Sequence, residues 1–417
     1  MPAVLSQGIT TIVRGADGSS GVDRSSERYS QASFNAAFLE NPPAVNVASF
    51  SAHGDIRYFV MGDDYRREAS VDEIEAMRQL VEADMKNGAL GLSTGLEYEP
   101  GIYSSTSEVV ELAKVSAKYA GGYMSHLRDE DDRFLDALDE IIQIGREAQL
   151  PVQVSHIKLT DRKFWGTTDK VIERLEAARQ EGIEISADIY PYLRWQANLA
   201  ILFPDRDFTN AAAAEFTFER TSKAEDLVLA RFPPNPEFAG MTIAEIAGIT
   251  ESDPVDTLLE LTQAAAAYRR DTGKSGSSII AKGMDENDVV ALMNWRYSNI
   301  CSDGGHGGGH PRGYGAFPRV LGRYVRDLGL IELEDAIFKM TGRAADAMRI
   351  RHRGRLQEGN YADLVLFDPD TIEDRATMDD RTATSVGVIS VWVNGDLAYS
   401  DGEPTGVFPG RLVTLAD

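Results

Sequence analysis

Tyr123-Met124-Ser125-His126-Leu127-Arg128 and Val152-Gln153-Val154-Ser155-His156-Ile157-Lys158 decide the fold of this chain. Each is a short β-type run that ends in Ser-His, a long apolar residue and a cation. Between them Phe134 to Ala148 carries apolar residues at helical spacing: Leu135, Leu138, Ile141, Ile142 and Ile144. Strand, helix and strand over about 30 residues make one βαβ unit with parallel, neighbouring strands. Both histidines then lie at the carboxyl ends of adjacent strands, the end where α/β barrels carry their chemistry. Two imidazoles side by side there begin a metal site. The competing reading is two hydrogen-bonded histidines near strand ends.

The same rhythm extends in both directions. Strands are predicted to begin near residues 9, 45, 89, 122, 151, 184 and 298, with helices between them. Ser70 with Glu73 and Ser105 with Glu108 are capping boxes that open two of those helices. Seven parallel strands are one short of a closed (β/α)8 TIM-type barrel. The chain enters a core strand at Ile9-Thr10-Thr11-Ile12-Val13 almost without run-in, so the missing strand is expected to be the first, through a truncated or misassigned start. Residues 200–285 break the rhythm with Ala- and Pro-rich stretches and read as an insertion able to act as a lid. After about residue 350 helices give way to turn-separated strands, and Asn394-Gly395 is a hairpin signal. The expected division is a barrel over 1–350 and a small antiparallel β portion over 351–417.

The 417 residues contain 66 acidic and 42 basic side chains, a formal charge of −24, and 43% are hydrophobic. Such a balance opposes binding to a phosphate backbone. No apolar run reaches the roughly 18 residues a membrane span needs. The single cysteine, Cys301, excludes an internal disulfide framework. The first residues form no signal peptide, and a cytoplasmic location is the expectation.

Four residues stand at predicted strand ends: Asp17, His126, His156 and Asp303. Two imidazoles and two carboxylates suit Zn²⁺ or a similar divalent ion, one or two per chain. Asp303 is placed to move protons to and from a metal-activated water. Alone, Asp17 and Asp303 would each read equally well as turn residues. Lys158 and Arg312 lie near the same mouth; cations beside a metal need an anion, which points to a substrate carboxylate. Tyr190 and Tyr192 are candidate hydrogen-bond donors or half-buried aromatics. His53 reads as a structural or supporting residue and His352 as a surface one. The acidic run Asp129-Glu130-Asp131-Asp132 reads as a charge cluster at a helix start.

Taken together these stretches resemble the D-aminoacylases (N-acyl-D-amino-acid deacylases) of the amidohydrolase superfamily. The resemblance rests on Gln7-Gly8-Ile9-Thr10-Thr11, Gly91-Leu92-Ser93-Thr94-Gly95-Leu96, Ser125-His126-Leu127-Arg128-Asp129-Glu130, Ser155-His156-Ile157-Lys158 and Asp188-Ile189-Tyr190-Pro191-Tyr192. It continues through Met284-Asp285-Glu286-Asn287-Asp288, Ser302-Asp303-Gly304, His310-Pro311-Arg312 and Gly359-Asn360-Tyr361-Ala362-Asp363-Leu364-Val365, in order along essentially the whole chain. It implies an amidohydrolase-type barrel with part of a β-sandwich, and a metal-bound hydroxide that attacks the amide of an N-acyl-D-amino acid. His126 and His156 match metal ligands, Asp303 the catalytic acid/base, and Lys158, Tyr190 and Arg312 the substrate-carboxylate site. No nucleic acid or membrane partner is implied, and an oligomer of identical chains is compatible. The family's cysteine ligand is replaced here by Asp17, and its His-x-His is absent. Arg194-Trp195-Gln196-Ala197-Asn198 also departs from the family segment at the acyl pocket. The alternatives are a cyclic-amide hydrolase of the hydantoinase or dihydroorotase kind and an inactive, truncated barrel. The first normally needs a carbamylated lysine, which Gly91 to Gly95 does not offer.

Overall fold

A computed structural model describes residues 2–20, 31–305 and 309–416; His306, next to the Asp303 turn, lies outside them. All seven predicted parallel strands are present. They are β1 (Thr11–Arg14), β2 (Asn46–Ser49), which bends at Phe50 into the two-residue β3 (Ser51–Ala52), β4 (Gly91–Gly95), β5 (Gly122–His126), β6 (Val152–Val154) and β7 (Ile185–Ile189). Next come β8 (Arg194–Ala197) and, within residues 200–285, β9 (Leu227–Arg231) and β10 (Ser278–Lys282). The parallel series then resumes with β11 (Ser298–Ile300). One ladder runs β11-β7-β6-β5-β4-β3 and a second pairs β1 with β2, every neighbour parallel. Among the described residues β1 pairs only with β2, and β11 only with β7.

The strands are short and buried on both faces, as expected where helices cover a parallel sheet. β4 and β5 approach unusually closely. A Cβ on Gly91 would stand 2.1 Å from the Gly122 carbonyl oxygen, so only glycine fits there. Helix Phe134–Ala148 buries Leu138, Ile141, Ile142 and Ile144 of the predicted stripe together with Phe134 and Ala137, while Leu135 is only partly buried. Ser70 and Glu73 form the complete capping box. The second box is half made. Ser105 caps the Glu108 N–H, while the Glu108 carboxylate turns instead to His53 and Arg57. The buried imidazole and guanidinium outcompete the local cap.

The region expected to be an insertion, residues 200–285, contributes β9 and β10 to a separate sheet that β8, just before it, completes. β10 pairs antiparallel with both β8 and β9, helix Ile243–Thr250 packs on β9, and helix Pro254–Thr272 packs on that helix. After β11, helix Arg312–Arg319 continues as a π-helix over Val320–Asp327, and the following helical run breaks at Thr341 into Leu333–Met340 and Gly342–Ala347. The C-terminal strands β12 (Leu364–Phe367), β13 (Val388–Val393), β14 (Asp396–Ser400) and β15 (Glu403–Pro404) form an antiparallel sheet. Asn394 and Gly395 have φ of 53° and 92°, the two positive values a type I′ hairpin requires. No helix among the described residues is long and apolar enough to cross a membrane.

Candidate metal centre and active site

The parallel ladder delivers its chemistry at one end. Asp17 lies three residues beyond β1, Glu97 two beyond β4, and His126 closes β5. His156 lies two residues beyond β6 and Asp303 three beyond β11. Asp17 sits in a tight turn at φ 55°, held against the end of β4. A Cβ on Gly95 would lie 2.3 Å from the Asp17 carbonyl oxygen. Ser155 Oγ donates to Asp17 Oδ1 at 2.7 Å, and Asp17 Oδ2 lies 3.2 Å from His156 Nε2. The His156 backbone N–H donates to Asp188 Oδ1, which fixes a residue held at the unusual φ of 35°.

His126 Nδ1 lies 3.0 Å from His156 Nε2. One donor atom each from Asp17, His126 and His156 lies within 4.8 Å of the others. Donors about 2.1 Å from one tetrahedral ion would stand roughly 3.4 Å apart, so the trio fits a divalent cation with little movement. A second trio, Glu97, His126 and Glu130, meets the same limit through the other side of the shared imidazole. His126 Nε2 is 2.8 Å from Glu97 Oε2 and 3.7 Å from Glu130 Oε2.

Charge is unevenly distributed. Burial lowers the pKa of His126 to about 4. Burial and Lys158 also oppose charge on His156, but Asp17, Asp303 and Glu130 outweigh them and raise it well above the ordinary value. Burial would raise Asp17, yet contact with His156 holds it well below the usual carboxylate range. Glu97 is pushed well above that range by burial and by Glu130 and Asp129.

Lys158 is buried, with Nζ 2.6 Å from Glu130 Oε2 and 2.7 Å from His156 Nδ1. Arg312 Nη1 is 2.7 Å from Asp303 Oδ2, and its guanidinium carbon is 4.5 Å from the centre of the Tyr190 ring. The Arg312 Nε and the Tyr190 hydroxyl are buried without a hydrogen-bond partner among the described residues. Asp17, Glu130, His156, Lys158, Asp303 and Arg312 line one cavity together with Trp195, Gln196 and Ala197 of β8 and Ile201.

All seven predicted site residues gather here, although Asp303 stands with Arg312 rather than inside either trio. Tyr192 turns away and donates its hydroxyl to Asp374. His53 is buried against Glu108, which also holds Arg57, in keeping with a structural or supporting residue. The acidic run needs correction. Asp129 and Glu130 are buried, and Glu130 faces His126 and Lys158 rather than capping a helix. Sequence reasoning missed Glu97 and Glu130. The strand-end rule that found Asp17 applies equally to Glu97, two residues past β4.

An amidohydrolase family profile matches residues 302–399. The chain is 34% identical to the D-aminoacylase of Alcaligenes xylosoxydans xylosoxydans, over 99% of its own length and 82% of that protein's. It superposes on a crystal structure of D-aminoacylase with a TM-score of 0.87 at 34% identity, covering 99% of this chain and 84% of that one. A structure of N-acyl-D-glutamate deacylase from Bordetella bronchiseptica, complexed with zinc and a phosphonate mimic of the tetrahedral intermediate, gives a TM-score of 0.85 at 32% identity. That match covers 99% of this chain and 84% of that one. With its strand-end carboxylates and histidines in one barrel mouth, this chain belongs to the D-aminoacylase family of amidohydrolases.

Proposed function

We propose that the chain is a metal-dependent hydrolase that cleaves the amide bond of N-acyl-D-amino acids, with residues 1–350 as its catalytic part and 351–417 as a supporting β portion. The observation that carries this reading is the contact set of Asp17, His126 and His156, whose Asp17 and His156 line one cavity with Arg312 and Lys158. Asp17, His126 and His156 would hold Zn²⁺ or another divalent ion, with Asp303 at its edge. Bound there, the ion supplies positive charge that acidifies water and polarises a carbonyl.

The chain's own residues do the rest. Asp303, past the last parallel strand, accepts a proton from the attacking water at a carboxylate oxygen. It then delivers that proton to the leaving nitrogen, without which an amide nitrogen departs poorly. Arg312 orients Asp303 through its 2.7 Å contact and keeps Nε free for the substrate carboxylate. The Tyr190 hydroxyl, buried and unpartnered, is a donor ready for a substrate oxygen. Lys158 balances Glu130 and adds positive charge to the carboxylate side of the cavity. Trp195 to Ala197 exclude water from above.

The test is acyl release from N-acetyl-D-glutamate, N-acetyl-D-aspartate and N-acetyl-D-methionine against their L-forms. Metal-stripped and zinc-reloaded protein should be compared, with hydantoin and dihydroorotate as further substrates. Zinc-dependent release from D-forms is expected. Turnover of the cyclic amides alone, or undiminished activity in metal-free protein, overturns the assignment.

A further inference from the structure

His126 is the shared corner of both candidate trios, yet a neutral imidazole has one lone pair to give. Its two nitrogens face different surroundings. Nε2 meets two carboxyl groups, Glu97 at 2.8 Å and Glu130 at 3.7 Å, each with an oxygen that can accept a hydrogen bond from a ring N–H. Nδ1 meets His156 Nε2 at 3.0 Å, with Asp17 beyond it. Glu130 is already engaged by Lys158 Nζ at 2.6 Å, so Glu97 is the acceptor free to serve Nε2.

The segment carrying Glu97 grips His126 at three points. The Leu96 N–H donates to the His126 carbonyl at 3.2 Å. The Tyr98 ring lies 4.5 Å from the imidazole and fixes its plane. Glu97 takes Nε2, and its own carbonyl accepts from the Arg206 guanidinium of the inserted region. Such an arrangement aims one ring nitrogen and leaves the other for a ligand.

We propose that Glu97 is a positioning residue whose carboxylate holds His126 as the Nε2–H tautomer, so that the Nδ1 lone pair points to the site formed with Asp17 and His156. Metal-bound histidines commonly need such a partner for orientation and basicity. Glu97 therefore sets metal affinity without being a ligand, and the inserted region reaches the centre through Arg206. This rests on the metal-site reading above.

Two measurements test it. Zinc affinity is read by competition with a chromogenic chelator, and ions per chain by elemental analysis, for the parent and for Glu97→Gln. The variant is expected to bind zinc about 10–100-fold more weakly with an unchanged ion count. Loss of one ion at unchanged affinity for the other would make Glu97 a ligand of a separate site and overturn the proposal. Equal affinity and equal count would overturn it too. A parent that binds no zinc instead overturns the site reading on which it rests. Long-range ¹H–¹⁵N spectra of the metal-free parent supply a test that needs no variant to fold. A proton on His126 Nε2 is expected, and a proton on Nδ1 overturns the assignment.

Discussion

Two buried clusters in this chain use the same residue types in opposite ways. Away from the cavity, His53, Arg57 and Glu108 form a group fully shielded from solvent. One carboxylate there serves an imidazole at 2.8 Å and a guanidinium, and the guanidinium also donates to the carbonyls of Tyr65, Arg67 and Tyr103. At the mouth, Asp17, Glu97, Glu130 and Asp303 gather around two imidazoles, with Lys158 and Arg312 opposing them. The first cluster pairs its charge internally. The second leaves carboxylates in excess and drives them apart, Glu97 up and Asp17 down. Groups pushed apart in this way mark a site built to act on something else.

The sharpest test of that contrast is Asp303→Asn, which keeps shape but cannot carry a proton. It should lower kcat by about 10²–10⁴-fold while metal content and melting temperature stay near the parent's. A kcat within threefold of the parent returns Asp303 to the role of a turn residue. Glu108→Ala should do the reverse. By leaving Arg57 buried beside no carboxylate it should cost about 3–5 kcal/mol in urea unfolding, without changing the metal held per folded chain. A loss below about 1 kcal/mol would mean that the first cluster is not structural in the sense argued here.

Arg312→Ala should weaken catalysis on N-acyl amino acids by about 1.5–3 kcal/mol, the range for hydrogen bonds to charged groups. The corresponding substrate amides should lose less. Because Arg312 also touches Asp303, an equal loss on both would show that it acts only through that contact. The mildest effects come from the histidines themselves. His53→Asn should cost about 1–3 kcal/mol of stability by leaving polar groups unmatched at 0% exposure. His126→Asn should cost less stability and instead deplete zinc on elemental analysis. If both variants lose stability and neither loses metal, the two clusters are of one kind.

Much of this site was legible in the sequence because its geometry follows from backbone rules. Period, capping and βαβ spacing place Asp17, His126, His156 and Asp303 at strand ends, and parallel pairing makes those ends neighbours. The hairpin at Asn394-Gly395 was equally local, since only its own φ values are at stake. The sequence alone therefore determined the parallel barrel strands, their order and the ring of candidate ligands. Tertiary structure alone decided which charge meets which. Glu130 left a helix-start cluster for Lys158, Glu108 left its cap for Arg57, Tyr192 turned to Asp374, and β9 and β10 of the insertion joined β8 in one sheet. The physical reason is range. A strand end is set by its immediate neighbours, whereas a buried carboxylate takes whatever cation or imidazole the completed fold brings within about 3 Å.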